Sequence, residues 1–113
     1  MLKSAIRVAV VCALALTPGL AQASNSSVGC ITNITMEAAG VANFTQDGTR
    51  TTRPACATDA RWTLDGTTAS GQARLAALLT AYATGKRIVI IGTGACVAPF
   101  STIETINYFT IQD

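Results

Sequence analysis

The chain has 113 residues, half of them hydrophobic and only 12% charged, and it carries no histidine. That length holds one domain, and without imidazole it has neither a histidine base nor a histidine metal ligand. The formal charge of +2 arises at the start, from Lys3 and Arg7; beyond position 23 basic and acidic residues balance, which removes any general attraction to nucleic acid or an anionic membrane.

Met1 to Ala23 has the plan of a secretory signal peptide. Lys3 and Arg7 form a basic n-region, Val8 to Leu16 is an apolar run, Thr17-Pro18-Gly19 breaks it, and Ala21-Gln22-Ala23 supplies the small-x-small pattern that signal peptidase accepts. The run is shorter than the roughly 20 residues a membrane span needs. Cys12 lies inside it and follows Val11, where lipid attachment requires a small residue. The expectation is an exported, periplasmic or secreted chain cleaved near Ala23, with residues 24–113 as a single domain.

Ser24 to Ser27 reads as a flexible polar stub. Val28 to Glu37 alternates with period two, with Val28, Cys30, Thr32, Ile34 and Met36 on one face and Gly29, Ile31, Asn33 and Thr35 on the other, which predicts a strand. Ala38-Ala39-Gly40 turns the chain into a short second strand, Val41 to Gln46. Asp47-Gly48 opens a loop through Pro54. Ala55 to Asp65 predicts a third strand with Trp62 and Leu64 inward and Arg61, Thr63 and Asp65 outward.

The period then changes. Leu75, Leu78, Leu79 and Tyr82 fall on one helical stripe, alanines fill the surrounding positions, Thr68 or Ser70 can cap the start, and Gly85 suits a left-handed C-terminal residue. Ile88 to Ile91 reads as a strand buried on both faces, Gly92-Thr93-Gly94 loosens the backbone, and Ile103 to Gln112 is the last strand. The order β-β-β-α-β-β is that of an OB-fold-like five-stranded barrel, mainly β with one helix. A mostly antiparallel α+β sandwich is the alternative.

Residues for catalysis are scarce. A nucleophilic serine needs a base, and Lys86, the only lysine after the leader, lies at a helix end where capping explains it. The acidic residues are scattered without paired spacing, so glycosidase chemistry has no anchor. Gly92-Thr93-Gly94 lacks the later glycine and the helix of a dinucleotide loop. No enzyme activity and no cofactor are expected. Cys30, Cys56 and Cys96 are too widely spaced for a metal site, and one disulfide with a cysteine left over is the default in an exported domain. In the OB topology the third and fifth strands run parallel, which brings Cys56 near Cys96. Cys30, toward the same end, is the competing partner. Arg50 and Arg53 are the only paired cations of the Asn43 to Pro54 region, and Phe100 beside Ser101 and Thr102 combines an apolar ring with hydroxyls, as a sugar or peptide site does. These five residues are the candidate ligand contacts; a solvated loop and loop packing are the plainer roles.

Pro54-Ala55-Cys56-Ala57, Arg61-Trp62, Gly71-Gln72, the run Leu78 to Lys86, Gly92 to Cys96 and Glu104 to Phe109 resemble a family of small exported bacterial proteins of uncharacterised role. More remotely, a cysteine-alanine strand, a tryptophan, a helix and Gly85-Lys86 before an apolar strand are similar in order to the receptor-binding B subunit of subtilase-type AB5 toxins. That resemblance implies an OB-fold ring subunit that binds cell-surface glycans, although its sugar-contacting residues have no matching positions here. The resulting expectation is a non-enzymatic module that binds a glycan or protein and is open to homo-oligomer formation. A structural or self-assembling envelope protein is the alternative, and a serine–lysine hydrolase the weakest reading.

Overall fold

The computed structural model describes residues 24–113; the leader expected over residues 1–23 lies outside them. Five strands and one helix follow in the order β1 (Gly29–Met36), β2 (Val41–Gln46), β3 (Trp62–Asp65), α1 (Ala69–Thr84), β4 (Arg87–Gly92) and β5 (Glu104–Gln112). They form a mainly β, mixed sheet. Neighbours run β1-β2-β3-β5-β4, and β4 pairs back onto β1, so the ring of pairings closes. Only β3 and β5 are parallel, with Trp62 opposite Glu104; the other pairs are antiparallel. A closed ring leaves no long row of unpaired backbone groups at an edge.

The interior holds Phe44, Trp62, Leu64, Leu78, Ile88, Ile90 and Ile106, with Ile34, Leu75 and Phe109 packed against them. Each such aliphatic or aromatic side chain contributes about 1.5–3 kcal/mol on burial. Two irregularities decide which residues point inward. The β1–β2 register shifts between Ile31 and Asn33, so the inward face passes from Ile31 to Ile34. The β4–β5 register shifts between Ile91 and Gly92, and the inward face of β5 passes from Ile106 to Phe109. A strict alternation misassigns half of each strand, because a bulge inserts one residue and inverts the faces beyond it.

Four expectations need correction. The stub Ser24–Ser27 is stitched into the fold: Ser26 N donates to Ile90 O at 2.9 Å, Ser26 Oγ accepts from Ile90 N at 2.9 Å, and Thr51 N donates to Asn25 O at 2.9 Å. The third strand begins at Trp62, because the chain turns at Pro54, where Ala57 N reaches the Pro54 carbonyl at 3.0 Å, and Asp59 holds the backbone N–H of Arg61 at 2.9 Å. Thr63 faces outward from the barrel with Asp65, but it is buried there rather than exposed. On β4 one face is buried at Ile88 and Ile90, while Val89 and Ile91 are only partly covered.

Helix α1 starts at Thr68, whose Oγ1 accepts from Gly71 N at 3.0 Å, and stops at Gly85 with φ 70°. Its inward residues are Gly71, Leu78 and Ala81, with Leu75 partly buried, whereas Leu79 and Tyr82 are exposed. The predicted stripe is therefore rotated. A Cβ at Gly71 would stand 1.8 Å from the carbonyl oxygen of Asp65, so the absence of a side chain there lets the helix approach β3 and fixes the rotation.

Candidate functional site

A cleft of about 310 Å³ lies between β2–β3 and the β4–β5 loop. Val41, Thr63 and Asp65 form its strand wall, Val97 to Phe100 the opposite loop wall, and Ala39, Thr67 and Thr105 complete the lining. Local sequence explains each wall. Gly40, at φ 82°, closes the tight β1–β2 turn. The loop wall is pinned by the Cys56–Cys96 disulfide, by Asp59 N on Thr102 O at 3.0 Å and by Ile103 N on Phe100 O at 3.1 Å; the Ala98–Pro99 peptide is cis.

The polar groups in this cleft are mostly acceptors. Thr63 donates its hydroxyl proton to Asn43 Oδ1, and Asn43 Nδ2 in turn donates to Glu37 Oε2 at 3.2 Å. With Asn43 fully buried, that chain holds the Thr63 hydroxyl with its proton turned away and its lone pairs free. Asp65 Oδ1 accepts from Thr67 N at 2.9 Å and Thr67 Oγ1 at 2.6 Å. Those donors, the Thr67 hydroxyl first, hold the Asp65 carboxyl below its usual range and keep it ionised. Thr105 Oγ1 is buried and has no hydrogen-bond partner, an uncommon condition for a hydroxyl. Phe100 is half-buried on the rim, where an aromatic ring offers an apolar face. The arrangement suits a compact ligand with hydroxyl donors and an apolar side, and it repels anions at Asp65.

The candidate contacts named from the sequence divide between two places. Phe100 lines the cleft; Ser101 and Thr102 are exposed just beyond it. Arg50 and Arg53 line a different, shallower cleft with Gln46, Ala60 and Trp62. Arg53 is exposed, whereas Arg50 is committed to the protein. Its Nη2 lies 2.7 Å from Oε1 of the fully buried Glu104, its Nη1 donates to Ala60 O at 2.9 Å, its Nε donates to Ser24 Oγ at 3.1 Å, and its guanidinium carbon sits 3.7 Å from the Trp62 ring centroid. Burial lowers the Arg50 pKa, and the Glu104 carboxylate opposes that shift. Arg50 is a structural cation, with cation–π contact and a buried ion pair.

Sequence reasoning passes over Thr63, Asp65, Thr67 and Thr105, which alternate with core positions on short strands or sit in a turn and have no motif of their own. Asp65-Gly66 marks a turn and nothing more. Lys86 is exposed and pairs with Asp113 at 2.7 Å. Of the cysteines, Cys56 and Cys96 are joined and Cys30 is free and half-buried. Among the described residues no helix is long and apolar enough to cross a membrane. No protein family, curated protein or solved structure matches the chain.

Proposed function

We propose that the protein is an exported, OB-like module that binds glycans without chemical turnover, with the ligand seated in the cleft between β2–β3 and the β4–β5 loop. The observation that carries this reading is the combination within that cleft of the Phe100 ring, the Thr63 and Asp65 acceptors and the unpartnered Thr105 hydroxyl. Sugars present hydroxyl donors around the ring and an apolar C–H face, and each finds its counterpart here. The architecture supports the same placement: the helix falls between the third and fourth strands, and OB-folds hold oligosaccharides on the face of strands 2–3 beside the loop between strands 4 and 5. A leader over residues 1–23 and the Cys56–Cys96 disulfide both suit a periplasmic or secreted location.

A glycan array probed with the exported domain tests the reading. Binding of a defined group of neutral glycans is expected, lost or weakened at least tenfold in Phe100→Ala and in Asp65→Asn, and kept in Arg53→Ala. Absence of binding across the array, or binding untouched by both cleft variants, overturns it.

One observation favours the structural alternative. Tyr108 and Ile111 of β5 are about half exposed and line a shallow apolar groove with Ala73 and Ala77 of α1, and an apolar surface of this kind serves association between copies. A concentration-dependent mass in sedimentation together with a blank array selects that reading.

A further inference from the structure

We propose that the Ala23–Ser24 peptide bond is the processing site of the exported chain, and that its hydrolysis completes a buried ion cluster in which the new Ser24 α-ammonium joins Arg50 on Glu104. This rests on the leader reading of residues 1–23 and is independent of what the cleft binds.

The cluster is built from distant parts of the sequence. Glu104 opens β5, is fully buried, and has both carboxylate oxygens occupied. Oε1 accepts from Arg50 Nη2 at 2.7 Å and from the Ser24 hydroxyl; Oε2 accepts from Gly94 N at 2.9 Å and from Ser24 N at 3.3 Å. Ser24 thus supplies two of the four donors. It is itself fully buried, and its carbonyl accepts from Gly92 N at 2.9 Å. Gly92 makes room: a Cβ there would stand 2.0 Å from Glu104 Oε2 and 2.9 Å from Ser24 O. The small-x-small pattern Ala21-Gln22-Ala23 ends one residue before Ser24, so two independent features converge on one bond. The sequence marks it for a leader peptidase, and the fold places a buried carboxylate beside the nitrogen that cleavage would free.

Hydrolysis breaks the C–N bond between Ala23 and Ser24. Water supplies hydroxyl to the Ala23 carbonyl carbon, which leaves as carboxylate, and the protons gained at Ser24 nitrogen make it an ammonium. The amide N–H that would otherwise face Glu104 carries no charge; the ammonium does. The charged groups facing that nitrogen are Glu104 from β5 and Arg50 from the β2–β3 connection, with Arg53 and Asp59 acting on Arg50 in turn. Leader removal and final folding are coupled in this arrangement, because the cationic nitrogen exists only in the cleaved chain.

The test uses the product exported from the full-length chain. Its intact mass is expected to correspond to a Ser24 start. An N-terminal serine with a free amine is cleaved by periodate, and here the native protein is expected to react at least tenfold more slowly than the same protein in denaturant, since both amine and hydroxyl are held on Glu104. A product that keeps Ala23 is expected to melt about 4 °C lower or more at pH 6. A different start site, equal periodate rates in the native and unfolded states, or equal melting of the two products at pH 6 overturns the proposal.

Discussion

The Nη2 atom of Arg50 lies 2.7 Å from Oε1 of Glu104, across 54 residues of sequence and behind the Trp62 ring. This pair fastens the β2–β3 connection to the start of β5, beside the parallel β3–β5 contact. Glu104→Gln leaves the Arg50 guanidinium without its carboxylate, and Arg50→Met takes the guanidinium from the buried Glu104; breaking a buried pair in this way costs about 3–5 kcal/mol. In a double-mutant cycle followed by urea unfolding, the two changes together are expected to cost at least about 1 kcal/mol less than their sum. Strict additivity contradicts a direct interaction.

Gly92→Ala forces a methyl group into the Glu104 carboxylate, whose oxygen would lie 2.0 Å from the new Cβ. Overpacking of this kind costs about 1–3 kcal/mol. Gly85→Ala, at φ 70° with nothing within 4 Å of its added Cβ, suffers only backbone strain. The urea midpoint of Gly92→Ala is expected to fall below that of Gly85→Ala, and the reverse order contradicts the packing assigned to Glu104.

The Cys56–Cys96 bond closes a loop of 40 residues in sequence separation, which on the chain-entropy account stabilises by about 4 kcal/mol. Peptide mapping of non-reduced protein is expected to show the Cys56–Cys96 link alone, unchanged in Cys30→Ser. The Cys56→Ser/Cys96→Ser variant loses stability and loosens the loop wall of the cleft together. A linked peptide containing Cys30 as the main species contradicts the fold at this point.

Acid sensitivity follows from carboxylates held by local donors. The Arg61 side chain, then its backbone N–H, draws Asp59 below its usual range, and Thr67 does the same for Asp65. A lowered folded value contributes stability that is present above the unfolded value of about 3.9 and is lost as pH falls through the folded one. Melting temperature is expected to be level between about pH 5 and 7 and to drop below about pH 4, with a smaller drop in Arg61→Met and Thr67→Val. A drop centred between pH 5 and 7 contradicts these assignments.

The helix and four of the five strands are legible in the sequence because apolar period and turn residues report local geometry; the third strand is not, since it starts at Trp62 and not at Ala55. Facing is legible only up to the first irregularity: nothing at Ile31-Thr32-Asn33 announces the register shift that turns Ile34 inward. The helix rotation escapes because Leu79 and Tyr82 are as apolar as the buried positions, while the residue that sets it, Gly71, carries no side chain. The cleft is the least legible feature. Phe100 draws notice as an aromatic in a loop, but Thr63, Asp65 and Thr105 come together only through the β2–β3 and parallel β3–β5 pairings. Arg50 and Arg53 illustrate the opposite difficulty: a loop cation pair suggests an anion site until the burial of Glu104 shows where one of them is used.

The most direct measurement of the ligand-cleft account is an amide chemical-shift titration of the exported domain with a panel of neutral mono- and disaccharides. Saturable shifts are expected at Thr63, Asp65, Thr67, Val97, Phe100 and Thr105, on both walls of the cleft, with the amides of Arg53 and Tyr108 unmoved. Shifts confined to the Arg50–Arg53 surface or to the α1–β5 groove, or no shift with any sugar, contradict the account.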